Sequence, residues 1–440
     1  MKKTLLVILL LAVGFHTAPA QETVGFSDPD AIRHLENYRL PTWDYSVLFL
    51  DFDGNFNSIN QFNDAKDRTT FGRVAPAYRY YRESEAMIIE GFANVPLTMN
   101  RWFNEDPNGN ERTDNNFGAL LNGVGDAKYY LDDLLFALGH AEININTNRR
   151  TTDGDNQQEI FRRTADSRFM IAAGAGYGRV RDVTPVIRAL RLNERLNAIG
   201  MGGLSDGQIQ DVAGIFAKRN GYGWVYDRPN RHFWNDVGNV VPGMLDNFSF
   251  FDAYYLGDVL AEATGQRFEG WDAAAQAFVD HRRFSDKREV DGNTTLDMDQ
   301  SHSQVGLNLA GRFFHNLSLE QMISVRANLG FGMFYPDQGD SERLLLAGIE
   351  LGNLYNITDR LLVQSAISIN YDKVGSGDNA ISDRIFRTSS AITYFIEDNI
   401  HVTANIAYRN DKEDRVNFDR TRSDFGINVS LRYFFLRGMN

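Results

Sequence analysis

Along the C-terminal half of the chain, apolar and polar positions alternate with a period of two. Over residues 303–314, Val305, Leu307, Leu309 and Phe313 alternate with Gln304, Asn308 and Arg312. The pattern repeats over 323–332, where Ile323, Val325, Ala327, Leu329 and Phe331 oppose Ser324, Arg326, Asn328 and Gly330. Leu345, Ala347, Ile349 and Leu351 against Glu350 follow, then Leu361, Val363, Ile367 and Ile369 against Gln364, Ser368 and Asn370. Successive side chains of a strand point to opposite faces, so each segment predicts a strand with one apolar and one wet face. Three more strands are predicted over 385–396, 402–408 and 425–435.

The N-terminal half repeats the scheme less cleanly. Over 45–56, Leu48, Leu50, Phe52 and Phe56 oppose Asp51, Asp53 and Asn55, and over 87–97, Ile89, Ala93, Val95 and Leu97 oppose Glu90 and Asn94. Further strands are predicted over 71–82, 115–130, 134–147 and 168–179, with a weaker one over 274–284. That makes fourteen. Segments of about ten residues, greasy on alternate positions, predict an all-β fold: a closed antiparallel transmembrane β-barrel of about fourteen strands.

Between residues 183 and 270 the period changes to that of helices. Thr184-Pro185 predicts an N-cap followed by proline in the first turn, with Val186, Ile187, Leu190 and Leu196 on one face as far as Gly200. Ser205 with Gln208 predicts a capping box, and Ile209, Val212, Ile215 and Phe216 its apolar stripe, ended by Lys218, Arg219 and Gly221. Helices are also predicted over 231–241 and 250–264, the second stopped by Gly265.

The connections orient the strands. Short joints at 315–316, 356–359 and 397–399 alternate with longer acidic or glycine-rich ones at 336–342, 372–383 and 410–420. Membrane barrels have short periplasmic turns and longer external loops, so the alternation predicts a periplasmic C-terminus. An even strand count then puts both termini and the helical insertion on that side. The last strand carries Phe425, Ile427, Val429, Leu431, Tyr433 and Phe435 opposite Asp424, Asn428, Ser430 and Arg432. It resembles the terminal strand of bacterial outer-membrane proteins, whose aromatic ending is read by the barrel-assembly machinery. The chain departs from that pattern by running on through five residues, 436–440. The resemblance implies a bacterial outer-membrane location, with outer-membrane lipid and that machinery as partners.

The first twenty residues agree with export. A basic start at Lys2 and Lys3, an apolar run from Leu5 to Phe15 and Ala18-Pro19-Ala20 predict a signal peptide cleaved before Gln21. The expected organisation is a signal at 1–20, a periplasmic segment at 21–43, half-barrels at 44–182 and 271–440, and a periplasmic helical insertion at 183–270. The mean hydropathy of -0.37 resembles that of a soluble protein, but a barrel turns only alternate residues to lipid. The chain has no cysteine, which excludes thiolate zinc sites, thiol catalysis and disulfides. A net charge of -13 without a basic face argues against nucleic acid.

Inward-facing candidates are Asp51, Asp53, Arg73, Arg79, Glu90, His140, Glu142, Arg312, Arg326, Glu350, Arg387, Asp424 and Arg432. Their mixed signs suit the wall of a water-filled lumen, either as solvated pairs or as a selectivity ring. His140 could serve as a base, but no G-x-S-x-G or H-E-x-x-H pattern occurs, so no enzyme is expected. The segment 106–111 offers oxygen ligands without the full calcium-loop pattern, so neither metal nor cofactor is expected. Two functions fit: a porin-like channel for a small solute, or an envelope assembly, secretion or anchoring component. In the second, the helical module would bind a periplasmic protein or peptidoglycan.

Overall fold

The computed structural model describes residues 29–60, 66–155, 158–244, 249–358 except 261 and 263, 360–375, 380–397, 400–415 and 418–433. The expected signal peptide and the end of the chain from residue 434 lie outside them. Fifteen strands form one antiparallel sheet among these residues. In chain order they are β1 (Trp43–Asn60), β2 (Lys66–Glu83), β3 (Met87–Asn94), β4 (Leu97–Glu105), β5 (Glu111–Tyr130), β6 (Leu135–Gly154) and β7 (Ile160–Asp182). After a helical module come β8 (Phe268–Val290), β9 (Asn293–Asn316), β10 (Gln321–Pro336), β11 (Glu342–Thr358), β12 (Leu361–Val374), β13 (Ile381–Glu397), β14 (Ile400–Arg415) and β15 (Phe418–Tyr433).

Each strand pairs with its neighbour in sequence, except that β3 and β4 share one position between β2 and β5. Asn94 faces Ala77 and Leu97 faces Val74, so no residue is gained or lost at the break. Pro96 makes that break because it has no N–H to give the ladder, and its carbonyl still accepts from Leu120 at 3.0 Å. The sheet therefore has fourteen positions, the number expected. Pairing beyond its two edge strands, β1 and β15, is not among the ladders of the described residues.

The period-2 phase holds across the sheet. Leu309, Leu329, Ala347, Ile349 and Ile369 share the apolar face, and Val429 stands on it beside Ala404. On the same face Tyr177 packs on Trp271 at 6.0 Å, beside Phe313, so aromatics rim one end of the apolar belt. From Tyr177 to Phe169 the belt runs about 26 Å along β7 before tilt, close to the ~25 Å of a membrane barrel.

The strands are longer than the sequence suggested. Beyond Val279 and Val305 the β8–β9 hairpin continues with charged residues on both faces to a tip at Asp291 and Gly292. Both tip residues have positive φ, 49° and 76°, as a two-residue Asp-Gly hairpin turn requires. The expected loop at 410–420 is mostly ladder too: Asp414 lies in β14 opposite Asp419. β4 was not anticipated, because Arg101 interrupts the apolar face of Leu97, Met99 and Phe103.

The insertion is helical, as expected. Its helices, with one preceding β1, are α1 (Pro29–Asn37), α2 (Thr184–Ala198), α3 (Asp206–Ala217), α4 (Arg219–Val225), α5 (Pro229–Val240) and α6 (Phe250–Gly257). Ser205 and Gln208 form the reciprocal capping box. Thr184 is not the cap of α2, however. The Asp182 carboxylate takes the Thr184 N–H at 2.9 Å, while the Thr184 hydroxyl accepts the Arg267 N–H at 2.8 Å and so ties the module's entry to its exit. α3 ends at Ala217 with Lys218 as its C-cap, as expected, and α4 starts at once. Val183, Leu192, Leu196, Val212, Phe233 and Val237 form the module's core, joined by Leu35 from α1, Tyr38 just after it and Leu319 from the β9–β10 turn. None of these helices is long and apolar enough to cross a membrane.

Candidate functional site

The face opposite the apolar belt carries the charge. Strict alternation along paired strands forces side chains of like parity onto one face, so a register row runs straight across it. From β8 to β15 one such row reads Asp272, Arg312, Arg326, Glu350, Ser368, Arg387, Arg409 and Asp424. Seven of the eight positions are ionisable. Sequence reading placed Arg312, Arg326, Glu350, Arg387 and Asp424 on this face but not at one level, which only register can do.

Asp272 and Arg409 were missed. Both stand just outside the strand limits read from the sequence, Asp272 before 274 and Arg409 after 408. Asp272 is the most buried member of the row, and it holds Arg312 through Nε at 2.9 Å and Lys128 at 2.8 Å. Lys128 reaches it from β5 across two intervening strands, crossing the Phe136 ring at 3.7 Å. Gly174, Gly176 and Gly178 clear the way, for β7 carries no side chain on this face there. Arg326 Nη1 donates to Glu350 Oε1 at 2.7 Å and lies over the Phe314 ring at 5.3 Å.

The remaining candidates share the face but form separate groups. Glu90 lies opposite Asp126, which is opposite His140; His140 Nδ1 is 2.8 Å from Asp126 Oδ1. Glu142 accepts from Arg168 at 3.1 Å, and Arg168 also grips Asp280 at 3.0 Å. Asp53 and Arg73 oppose each other across β1 and β2, with Asp51 two residues nearer the module. Arg79 lies over Phe92 at 5.7 Å and Trp224 at 5.2 Å. Arg432 lies in β15 opposite His401, and its side chain is outside the described residues. Among the described residues no group of three or more His, Asp or Glu is arranged to hold a metal. In the 106–110 turn, Asp106 Oδ1 is occupied by the N–H groups of Asn108 and Asn110 at 2.8 and 2.9 Å.

The helical module sits at the end of this polar face where β1 begins. Trp224 of α4 stacks on Phe49 at 5.6 Å, and Ile88 packs against the module's core. Glu85, in the β2–β3 turn, ties the module's surroundings together. It accepts the Leu40 N–H at 2.7 Å and binds Arg181 at 3.0 Å and Arg179. Burial acts to raise the Glu85 carboxyl, but these hydrogen bonds and the two guanidinium charges outweigh it and hold it below the usual glutamate range. On the far side of the module, buried Arg267 binds the Thr264 carbonyl at 3.2 Å, the Glu320 carbonyl and the Asn356 side chain. The module thus reaches from β1 to the β9–β10 turn and β11.

No family model matches the chain, and no curated protein matches it. Solved structures similar to it are outer-membrane β-barrel proteins, a likeness of class and to no specific family. The translocator domain of the autotransporter NalP from Neisseria meningitidis is 9% identical, with 83% of this chain and 93% of that one covered and a TM-score of 0.25. The loop-deleted OmpT of Vibrio cholerae is 9% identical, with 88% and 100% covered and a TM-score of 0.28. The toluene transporter TodX from Pseudomonas putida is 8% identical, with 89% and 88% covered and a TM-score of 0.26.

Proposed function

We propose that the protein is an outer-membrane channel for small polar solutes, formed when β1 pairs with β15 and closes the sheet around its charged face. Fourteen positions make those two edges antiparallel, as closure of an all-antiparallel barrel requires. The observation that carries the reading is the row from Asp272 to Asp424. Seven ionisable side chains at one register level suit a water-filled wall with both signs of charge, where a polar solute exchanges hydration for side-chain contacts. In this reading the helical module narrows the end from which β1 starts, on the periplasmic side. No catalytic step is part of it.

Planar-bilayer recording of the purified protein tests the proposal: steady open steps are expected, and a membrane-inserted protein that passes no ions would overturn it. A second reading, an envelope component that docks a periplasmic protein or peptidoglycan through the module, draws on a groove of about 800 Å³ between α1 and α3. Arg33, His34, Arg39 and Lys218 line it with Asp206 and Asp211. A non-conducting barrel that retains a periplasmic partner through this groove would favour that reading.

A further inference from the structure

Where the helical module meets the polar face of β1 and β2, the two form a half-open cavity of about 480 Å³. One wall is aromatic. Trp43, Tyr45 and Tyr81 form a cluster with ring centroids 4.9 to 5.8 Å apart, and Trp224 lines the module's side. The charge around it is acidic, since Glu83, Glu90 and Asp182 face a single cation, Arg79. Neutral donors serve two of these carboxylates: Trp43 Nε1 donates to Glu83 at 2.9 Å, and Asp182 takes the Thr184 N–H and the Gln266 amide at 2.9 and 3.1 Å. Buried Arg188, behind the lining, offsets part of the Asp182 charge, so the acidic excess rests on Glu83 and Glu90 against Arg79.

A second observation points to a ligand independently. Tyr38, from the segment between α1 and β1, lines the same cavity and is fully buried, yet its hydroxyl has no hydrogen-bond partner. Buried polar groups are nearly always paired, so an unpartnered buried hydroxyl on a residue that lines a cavity marks a contact that a bound molecule can complete. We infer that this cavity binds a small organic cation, an ammonium or guanidinium whose N–H donates to the Tyr38 oxygen. The ring faces of Trp43 and Tyr81 attract such a cation through their quadrupoles, and the surrounding carboxylates balance its charge. An anion meets three carboxylates and is rejected. A neutral sugar would use the rings but leave the acidic excess unanswered.

Arg79 and Glu90 stand on the face that the channel reading gives to the lumen, but binding can be read without conduction, so the test is a binding measurement on the full mature protein folded in detergent. Isothermal titration with putrescine is expected to show saturable binding, with succinate and glucose giving none. Glu90→Gln keeps the shape and removes one charge, and it should weaken putrescine at least tenfold. Tyr38→Phe removes only the unpartnered hydroxyl, so it should leave the ligand-free melting temperature unchanged or higher while weakening putrescine severalfold. Circular dichroism confirms that each variant is folded. Absence of saturable putrescine binding, equal binding of succinate or glucose, or unaltered affinity in both folded variants would each overturn the assignment. A protein that binds putrescine but conducts no ions would sink the channel reading and leave this one standing.

Discussion

Arg326 and Glu350 face each other directly across β10 and β11, with Nη1 donating to Oε1 at 2.7 Å. Their side chains are 51% and 38% exposed. A pair this open contributes at most about 1 kcal/mol, because water screens it in either state. Arg326→Glu should therefore fold with a stability within about 1 kcal/mol of the parent. If the row lines the pore, the reversal should move the reversal potential under a potassium chloride gradient toward cation preference. A conducting variant with the parent's reversal potential would place the row away from the constriction.

The opposite face makes the contrasting prediction. Leu329 lies between Leu309 and Ala347 on the apolar belt, while its neighbour Asn328 points to the polar face between Ala310 and Gly348. Leu329→Arg should cost roughly 2–4 kcal/mol of folding stability in lipid if it lies near the midplane, and Asn328→Arg clearly less. Denaturant titration in lipid vesicles measures both. Equal costs would mean that the two faces are exchanged.

Strand phase was legible because a period of two survives wherever one face is apolar, and it placed every described candidate from Asp51 to Asp424 on one face. Strand length was not legible. Beyond Val279 and Val305 both faces of the β8–β9 hairpin meet water, so alternation vanishes while the ladder continues, and only the Asp291-Gly292 turn betrays the hairpin. The same effect hid β4 behind Arg101. The charged row needed register between strands, and that is set by pairing across the sheet, not by any single segment. The helical caps are local, and Ser205 with Gln208 could be read directly; Thr184 could not, because its hydroxyl serves Arg267, 83 residues away.

Glu85 should make the attachment of the module acid-labile. Its carboxyl titrates lower in the folded protein than the roughly 4.3 of an unfolded glutamate, so the folded state binds that proton less readily. The stabilisation is then complete above the unfolded value and is lost as pH falls through the folded one. Melting temperature should hold steady down to about pH 5 and fall below about pH 4, with Glu85→Gln lower at neutral pH and less steep in acid. Thermal unfolding followed by circular dichroism checks this. Parallel curves for parent and variant would show that other carboxylates carry the acid transition.

The two ends of the sheet differ enough to predict which one faces outward. At the module end, the described turns at 84–86, 131–134 and 317–320 are short, and the aromatic rim at Tyr177 and Trp271 lies close to them. At the other end, β8 and β9 continue about eleven residues past the belt, roughly 36 Å of polar ladder. Membrane barrels carry their long polar elaborations outside the cell and their short turns in the periplasm, so the Asp291-Gly292 tip should be external and the module periplasmic. The chain has no cysteine, which lets single thiols report without background. Asn293 is exposed beside the tip, and Asp227 is exposed in the module between α4 and α5. A membrane-impermeant maleimide added to intact cells should label Asn293→Cys and reach Asp227→Cys only after the outer membrane is permeabilised. Labelling of Asp227→Cys on intact cells would invert the map, turning the module into a surface domain and its cavity toward external ligands.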